Sequence, residues 1–380
     1  MQSIMLKWKT LSKFFALILF TAAFLAACTK KDLSTTDPVE NSNETEAVNE
    51  ARKLEQSASA NAEAEGAALQ LTENEQTRHN RNIVEIAVSN PNFSTLVAAV
   101  LKTDLAGALS NPSANLTVFA PTNAAFAQLP APFNNAGNIG AITNADQKNF
   151  LKNVLLYHVL GDEVFSYEIS NGRSSSVTLK PAGSSNDNTI YFSKTFGLIR
   201  VNGQSDVILA NLNANNGVIH AINKVLLPPT NTIAGIAIAD PNFSTLVAAL
   251  IKTNLAGTFG NPGNFTVFAP TNAAFAQLPA PFNSASTINA ISNPAQINAL
   301  ANILKYHVVS SRYFTWDLGI LKRITTLASA PNNKVTTILG YNTGWVKGDD
   351  NNNFAQIHPA DILATNGVIQ VIGKVLLPED

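Results

Sequence analysis

The fold is decided by Thr117–Asn134, which reads TVFAPTNAAFAQLPAPFN, because the chain carries this stretch twice. Thr266–Asn283 repeats all eighteen residues without a change. Its first four residues alternate in polarity like a short half-buried strand. A proline ends that run, and the side chain of Thr122 or Asn123 can cap the following helical turn. We therefore predict a strand-to-helix corner anchored by Phe126, and the stretch contains no acid, base or thiol.

The sequence on both sides of this stretch also recurs. Asn90–Ala99 returns as Asp240–Ala249, with one change at the first residue. Asn216–Pro228 returns as Asn366–Pro378, which keeps the opening Asn-Gly-Val-Ile and the closing Lys-Val-Leu-Leu-Pro. The offset of about 150 residues is too long for a solenoid repeat and fits one whole domain. The chain therefore carries a duplicated folding unit.

Each copy begins with helix signals and ends with strand signals. Asn293-Pro294 is an N-cap residue followed by proline at the first helical position, and a second helix is expected to open at Phe93 or Ser94. The helix that opens at Phe93 or Ser94 is expected to carry Leu96, Val97, Val100 and Leu101 on one face. The residues expected to be buried on the later helices are Phe150, Leu151, Val154, Leu155, Ile297, Leu300 and Leu304. The strand-like runs are Thr189–Phe192, Leu198–Val201, Asp206–Leu209 and Gly217–Leu227, with a hairpin signal at Asn202-Gly203. This segregation favours the α+β class.

Four regions follow from these patterns. Residues 1–27 carry three lysines before an apolar run that is too short for a membrane span, which indicates a secretory signal peptide. The signal ends in Leu-Ala-Ala-Cys, so it is similar to a bacterial lipoprotein signal with Cys28 as the lipid attachment site. Residues 28–81 lack Phe, Tyr, Trp and Ile and are predicted to form a disordered tether. The two domains are predicted at 82–229 and 230–380.

Composition excludes several classes of function. Hydrophobic residues make up 46% of the chain and charged residues 13%, with a formal net charge of −1. A nearly neutral pair of domains has no electrostatic footprint for nucleic acid. One cysteine cannot form an intrachain disulfide, and the histidines show no ligand spacing, so no metal and no cofactor are predicted. No nucleophile elbow or phosphate loop occurs, and no catalytic residue is assigned.

Three ordered blocks in each copy resemble the fasciclin domain. They are the strand that ends in Phe-Ala-Pro-Thr-Asn, a mid-domain Tyr-His and the closing Asn-Gly-Val-Ile block. The resemblance implies a wedge-shaped antiparallel β-sandwich with helices at one end, in tandem, and extracellular adhesion without enzymatic activity. The copies depart from each other at two positions of the pattern. The closing histidine is His220 in one and Gln370 in the other, and Asn211 stands opposite Asp361.

The resemblance implies one candidate interaction motif, Tyr157-His158 and its counterpart Tyr306-His307, which in animal relatives is tied to integrin adhesion. At the end of an apolar helix such a pair more often packs inward, with its polar atoms hydrogen-bonded. Trp316 and Trp345 occur in the second copy alone. If exposed, they could form a sugar-stacking platform, although core packing is the commoner role.

The sequence therefore predicts a secreted, lipid-anchored adhesion or scaffolding protein of the bacterial outer membrane or cell surface. Its partner is expected to be an extracellular protein or a polysaccharide, with the membrane contacted through the lipid. The alternative is a glycan-binding accessory module of polysaccharide uptake, which requires exposed tryptophans. An envelope enzyme is a third class, and it requires His158 or His307 beside a carboxylate or hydroxyl in a pocket.

Overall fold

The computed structural model describes residues 80–379 except 184–185 and 341–342, together with residues 48, 49, 52, 53, 56 and 60. The predicted signal peptide and Cys28 lie outside the described residues, as does most of the predicted tether. Among the described residues no single helix is long and apolar enough to cross a membrane. Two helix pairs pass that test only when each pair, bent by 105° or 103°, is counted as one span.

The first domain contains a group of helices followed by most of its strands. The helices are α1 Ile83–Ser89, α2 Ser94–Lys102, α3 Ala106–Leu109, α4 Asn123–Ala127, α5 Ala136–Gly140 and α6 Ala145–Leu156. The strands are β1 Leu116–Pro121, β2 Val159–Leu160, β3 Gly172–Val177, β4 Thr189–Thr195, β5 Leu198–Val201, β6 Ser205–Ala214 and β7 Gly217–Ile222. The predicted α+β class is confirmed.

The second domain repeats this order of elements. Its helices are α7 Ile233–Ala239, α8 Ser244–Lys252, α9 Ala256–Gly260, α10 Asn272–Phe275, α11 Ala285–Asn289 and α12 Pro294–Tyr306. Its strands are β8 Phe265–Pro270, β9 Val308–Val309, β10 Lys322–Thr325, β11 Lys334–Ile338, β12 Gly344–Lys347, β13 Ala355–Ile357, β14 Ile362–Ala364 and β15 Gly367–Ile372. A 3₁₀ turn, Thr315–Asp317, lies between β9 and β10.

Each domain has its own sheet, and no strand pairing between the domains occurs among the described residues. The first sheet has seven strands in the order β2-β1-β7-β6-β5-β4-β3, and a bridge from Leu160 to Thr178 links its two ends. The sheet is therefore barrel-like. The second sheet has eight strands, in which β8 and β15 take the places of β1 and β7.

The pairing differs from the predicted all-antiparallel sandwich at one place in each domain. β1 runs parallel to β7, and β8 runs parallel to β15. All six residues of β1 and all six of β7 are buried, so the repeated strand is not half-buried as its alternation suggested. The helices cover one side of these strands and the barrel interior the other, and a strand covered on both faces can be apolar throughout.

The corner that opens the repeated stretch forms as predicted. Thr122 is the N-cap of α4 and accepts a hydrogen bond from the Ala125 N–H at 3.2 Å, while Phe126 is fully buried. Asn123 has a different role, because its side-chain amide donates to the Pro91 carbonyl and accepts from the Thr95 N–H. The stretch thus fixes both the start of α4 and the start of α2.

Candidate interaction surfaces and internal contacts

The tyrosine of the first candidate motif lies in the interior of its domain. Tyr157 follows α6 directly, and its side chain is fully buried. Its hydroxyl donates to the Thr189 carbonyl at 2.7 Å and accepts from the Asn202 side-chain amide at 3.1 Å. Burial raises the pKa of this hydroxyl. Tyr157 therefore ties the end of the helix to β4 and to the β5–β6 turn.

His158, the next residue, joins the same helix to the end of the domain. Its Nδ1 lies 2.7 Å from the Val154 carbonyl, and its Nε2 accepts from the Leu226 N–H at 2.9 Å. These partners require a neutral ring with the proton on Nδ1. Burial lowers the pKa of His158 to about 4, which favours the same neutral form.

The second domain repeats both connections. The Tyr306 hydroxyl donates to the Lys334 carbonyl, and His307 lies between the Ile303 carbonyl and the Leu376 N–H. Burial lowers the pKa of His307 to about 4. All four side chains of the candidate motif are buried, so they cannot contact a partner directly in this conformation. The envelope-enzyme hypothesis requires His158 or His307 as a general base. Neither is available, because both ring nitrogens of each histidine contact backbone groups.

The two copies differ at positions 220 and 370 and at positions 211 and 361, yet the side chain at 220 or 370 makes the same backbone contacts in both. His220 accepts from the Asn211 N–H, and its Nε2 lies 2.9 Å from the Val164 carbonyl. Gln370 accepts from the Asp361 N–H at 2.9 Å and donates to the Tyr313 carbonyl at 3.1 Å. The amide supplies the donor and the acceptor that neutral imidazole supplies, and its second N–H donates to the Asp361 carboxylate at 2.6 Å. The departures are therefore internal substitutions that keep the contacts to the backbone.

The tryptophan platform that glycan binding requires is absent from the surface of the second domain. Trp316 is 3% exposed and Trp345 is 7% exposed. Trp316 lies under the Arg200 guanidinium, 4.7 Å from the ring centre. Trp345 packs against Ile338, Phe354 and Val48. Neither indole can stack on a sugar from solvent in this conformation, so the proposed stacking platform was wrong.

Three arginines that sequence reasoning did not single out lie where the two domains contact each other, which we name the seam. They are Arg173, Arg200 and Arg312. Arg173 of β3 donates to the Arg312 carbonyl at 2.7 Å and stacks over Tyr313 at 3.7 Å. Arg312 in turn lies 4.2 Å over the ring of Tyr191 in β4. A cation over an aromatic face is attracted by the ring quadrupole, and more strongly where water is excluded.

Hydrogen bonds complete the seam on the side of the β5–β6 turn. Gln204 donates to the Asp361 carbonyl at 2.8 Å. Within the second domain, the Asp361 carboxylate accepts from the Thr315 N–H at 2.8 Å and the Thr315 hydroxyl at 2.7 Å, which holds Asp361 against the 3₁₀ turn. Burial raises the pKa of nearby Asp317 to about 6. The domains are therefore held by a continuous set of polar and aromatic contacts in addition to the chain connection.

The largest apolar exposure that recurs in both domains is on their first two helices. Val88 and Leu101 are 62% and 60% exposed, and their counterparts Ile238 and Ile251 are 71% and 65% exposed. Beneath the first pair an apolar cleft of about 50 Å³ leads down to His158. We name α1 with α2, and α7 with α8, the apolar corners of the two domains.

The apolar corners differ from the helix faces predicted from sequence. Leu101 was placed on one apolar face with Leu96, Val97 and Val100. Leu96 and Val100 are buried, together with Thr95 and Ala99, but Leu101 is exposed. Phe150 was also expected to be buried and is 44% exposed.

In the part of the chain that the structure describes, no group of three or more His, Cys, Asp or Glu side chains is placed to hold a metal ion.

Comparison with known proteins places the chain in a family. Both halves match the Fasciclin domain, at residues 91–228 and 241–378. Protein sll1483 of Synechocystis is 41% identical over 147 residues, which cover 39% of this chain and 73% of that protein. Transforming growth factor-beta-induced protein ig-h3 of Sus scrofa is 29% identical over 304 residues, 78% of this chain but only 38% of that protein.

Among solved structures, a FAS1 domain pair from the insect cell adhesion molecule fasciclin I is similar, with 17% identity and a TM-score of 0.35. The likeness covers 77% of this chain and 95% of that one. Fasciclin domains are generally involved in cell adhesion or interaction, and their homologues are generally non-enzymatic and often extracellular. With two matched domains that span well over half of its length, this chain belongs to the fasciclin family.

Proposed function

We propose that this protein is a non-enzymatic adhesion protein of the bacterial cell surface, held there by lipid on Cys28. The observation that carries the proposal is the match of both halves of the chain to the fasciclin domain. The apolar signal ending at the only cysteine of the chain supports the anchor. Several acyl chains on one site hold a protein on a membrane stably, whereas a single chain does not. Thr29 after the cysteine favours the outer membrane.

The contacts of the candidate reactive groups support a role without catalysis. His158 and His307 are buried, and both ring nitrogens of each histidine bind backbone atoms. A general base has to reach a substrate proton within hydrogen-bond distance. Neither histidine can do so without breaking a contact that connects its helix to the end of its domain. The molecule therefore acts through its surfaces.

The chemistry of the apolar corners favours a protein partner over a polysaccharide. The cleft between α1 and α2 is lined by aliphatic side chains and Phe119, and His158 at its end already accepts a backbone hydrogen bond. Sugar hydroxyls need hydrogen-bond partners when they leave water. A Leu, Ile or Phe side chain needs none and gains about 25 cal/mol per Å² of buried apolar surface. We propose that the corners receive apolar side chains of an extracellular protein.

The anchor is tested by Cys28→Ala in cells that carry no other copy of the protein. We expect the variant to be released from the envelope and adhesion of intact cells to fall to the level of cells without the gene. Unchanged adhesion with the protein in the medium would refute an anchored adhesin. The purified chain should leave candidate polysaccharides and esters chemically unchanged, and turnover of any of them would refute the non-enzymatic assignment.

The corners are tested with Leu101→Asp and Ile251→Asp in the anchored protein. Both side chains are mostly exposed, so the folded state should be preserved while a charge is placed where the partner packs. Adhesion should fall at least tenfold in the double variant. Asn298→Asp on the outer side of α12 is the matched control and should adhere normally. Equal adhesion of both would exclude the corners as the adhesive surface.

A further inference from the structure

Each domain carries an equivalent aromatic turn after its second strand, β2 or β9. Only the turn of the second domain is covered by the other domain. In the second domain Phe314 and Trp316 lie in the seam and are 2% and 3% exposed. The equivalent residues of the first domain are Phe165 and Tyr167, and Tyr167 is 70% exposed. The second domain thus buries its aromatic pair against the first, while in the first domain Phe165 is half-buried and Tyr167 is in solvent.

The two turns have the same local geometry, so the difference lies in what covers them. The Phe165 N–H donates to the Glu168 carboxylate at 2.7 Å, and the Phe314 N–H donates to the Asp317 carboxylate at 2.9 Å. The Phe165 and Tyr167 rings stack at 5.3 Å with their planes 5° apart. Exposed Asp162 adds a further acid beside them. We name residues 162–168 the acidic–aromatic turn.

The partner of the covered turn is the outer face of the sheet in the first domain. Tyr191 of β4 contacts Phe314 with ring centres 6.2 Å apart. Arg200 of β5 lies over Trp316. A sheet face with an arginine and a tyrosine therefore packs against the aromatic side chains of this turn. The turn itself carries one arginine, Arg312, which lies over Tyr191, and one acid, Asp317.

The second domain has a sheet face at the equivalent place. Tyr157 bonds to Thr189 and Tyr306 to Lys334, which aligns β4 with β11. With the strand pairings, Thr336 takes the place of Tyr191, and Trp345 takes the place of Arg200. We name this outer side of β10, β11 and β12 the basic sheet face, because Lys334 and Lys347 lie on it too.

We propose that the basic sheet face of one molecule binds the acidic–aromatic turn of a second copy of this chain. The contact would repeat between molecules the seam that each molecule already forms between its own domains. Two different surfaces are used, so the contact is heterologous and does not close into a dimer. The inference goes beyond the proposed adhesive function, because it concerns surfaces other than the apolar corners.

Val48, which precedes the two domains in the chain, contacts the proposed binding face. Its side chain packs against Ile338 and Trp345 beside Phe354 of the second domain, so Val48 occupies part of the basic sheet face. Val48 and the turn of a second copy cannot occupy this part of the face at the same time. Removing the Val48 side chain from the face should therefore strengthen association, because the competing intramolecular contact is lost.

Cysteine cross-linking tests the proposed geometry in the full chain with Cys28→Ala, which removes the native thiol. One preparation carries Tyr167→Cys and the other Thr336→Cys, and the two are mixed with diamide as the oxidant. We expect a disulfide-linked heterodimer in high yield, and a much lower yield when Ser286→Cys replaces Thr336→Cys. Equal yields in the two mixtures would overturn the proposal, since they would indicate random collision.

Sedimentation equilibrium tests the association itself. The average mass of the full chain should rise with concentration beyond that of a dimer. Tyr167→Asp should weaken association at least tenfold without changing the melting temperature, because the side chain is mostly exposed. Val48→Asp should strengthen it, and Asn49→Asp, at an exposed neighbouring position, should not. A chain that stays monomeric in all variants, or a closed dimer indifferent to Tyr167→Asp, refutes the proposal. Cell adhesion would still test the proposed function separately.

Discussion

His158 and His307 each hold together two parts of a domain that are far apart in sequence. His158 connects the last turn of α6 with Leu226, and His307 connects α12 with Leu376. Each Nε2 accepts a hydrogen bond from a backbone N–H, so protonation of Nε2 would replace an attraction by a repulsion between two donors. A motif that resembles a binding signature is thus an internal connection sensitive to acid.

The stability of the protein should therefore fall on acidification. The folded-state pKa of each histidine, about 4, is below the ordinary value of 6.5, so the neutral form is favoured in the folded state. The contribution is fully present above pH 6.5 and is lost as pH falls towards 4, on the order of 3 kcal/mol for each histidine. His158→Gln should remove about one proton from the acid-side slope of the unfolding free energy, measured by urea titration between pH 7 and 4. The exposed His358→Gln is the control, and an unaltered slope in His158→Gln would contradict the argument.

At the scale of elements, one asparagine in each domain joins the first helix to the central strands. The Asn216 side chain accepts from the Ile83 N–H at the start of α1 and donates to the carbonyls of Leu109 and Asn111. Asn366 makes the same three contacts with Ile233, Phe259 and Asn261. The next residue, Gly217, has φ of 144°, and a Cβ there would overlap the Leu116 carbonyl. The Asn-Gly pair therefore fixes the helix and permits the parallel contact of β1 with β7.

Asn216→Ala should destabilise the first domain by about 2–4 kcal/mol, because one N–H and two carbonyls lose their partner in a buried site. Asn366→Ala should have a similar effect on the second domain. Asn215→Ala changes the adjacent exposed side chain and should stay within about 0.5 kcal/mol of the parent. Urea unfolding measures all three. Equal stability of the Asn216 and Asn215 variants would mean that the hydrogen bonds contribute little.

At the scale of the whole molecule, the two domains are not related by simple repetition. The seam depends on Arg173, Arg200 and Arg312, and Arg312 stands where the first copy has Glu163. In the seam, the first domain thus presents a sheet face with Arg173 and Arg200, and the second domain presents a turn with Arg312. Duplication supplied the domains, and substitutions at their surfaces supplied the contact between them.

Arg173→Ala should loosen the seam while each domain stays folded. The change removes one hydrogen bond and one cation–π contact, together worth about 1–2 kcal/mol. Hydrogen exchange of the Phe314 and Thr315 amides should accelerate about 5- to 30-fold. Ser175→Ala, exposed on the same strand, is the matched control. If exchange at Phe314 and Thr315 is the same in both variants, Arg173 does not hold the domains together.

Local signals in the sequence predicted local features well. Asn293 caps α12 with Pro294 at its first position, and Leu300 and Leu304 are buried on that helix. Asn202 and Gly203 form the turn between β5 and β6, both with positive φ. The predicted burial of Phe150 was wrong, and Leu101, which was placed on the apolar face of its helix, is exposed. Helical periodicity identifies an apolar face, but the neighbouring elements decide how much of that face is covered.

The sequence by itself determined the duplication, the α+β class and the fasciclin family, because each depends on residue patterns that are contiguous in the chain. Tertiary structure alone decided that β1 runs parallel to β7, that the Tyr-His pairs are buried, and that Trp316 is covered while Tyr167 is exposed. These outcomes depend on contacts between residues far apart in the chain. The free energy of such a contact belongs to the pair, so neither residue's local sequence specifies it.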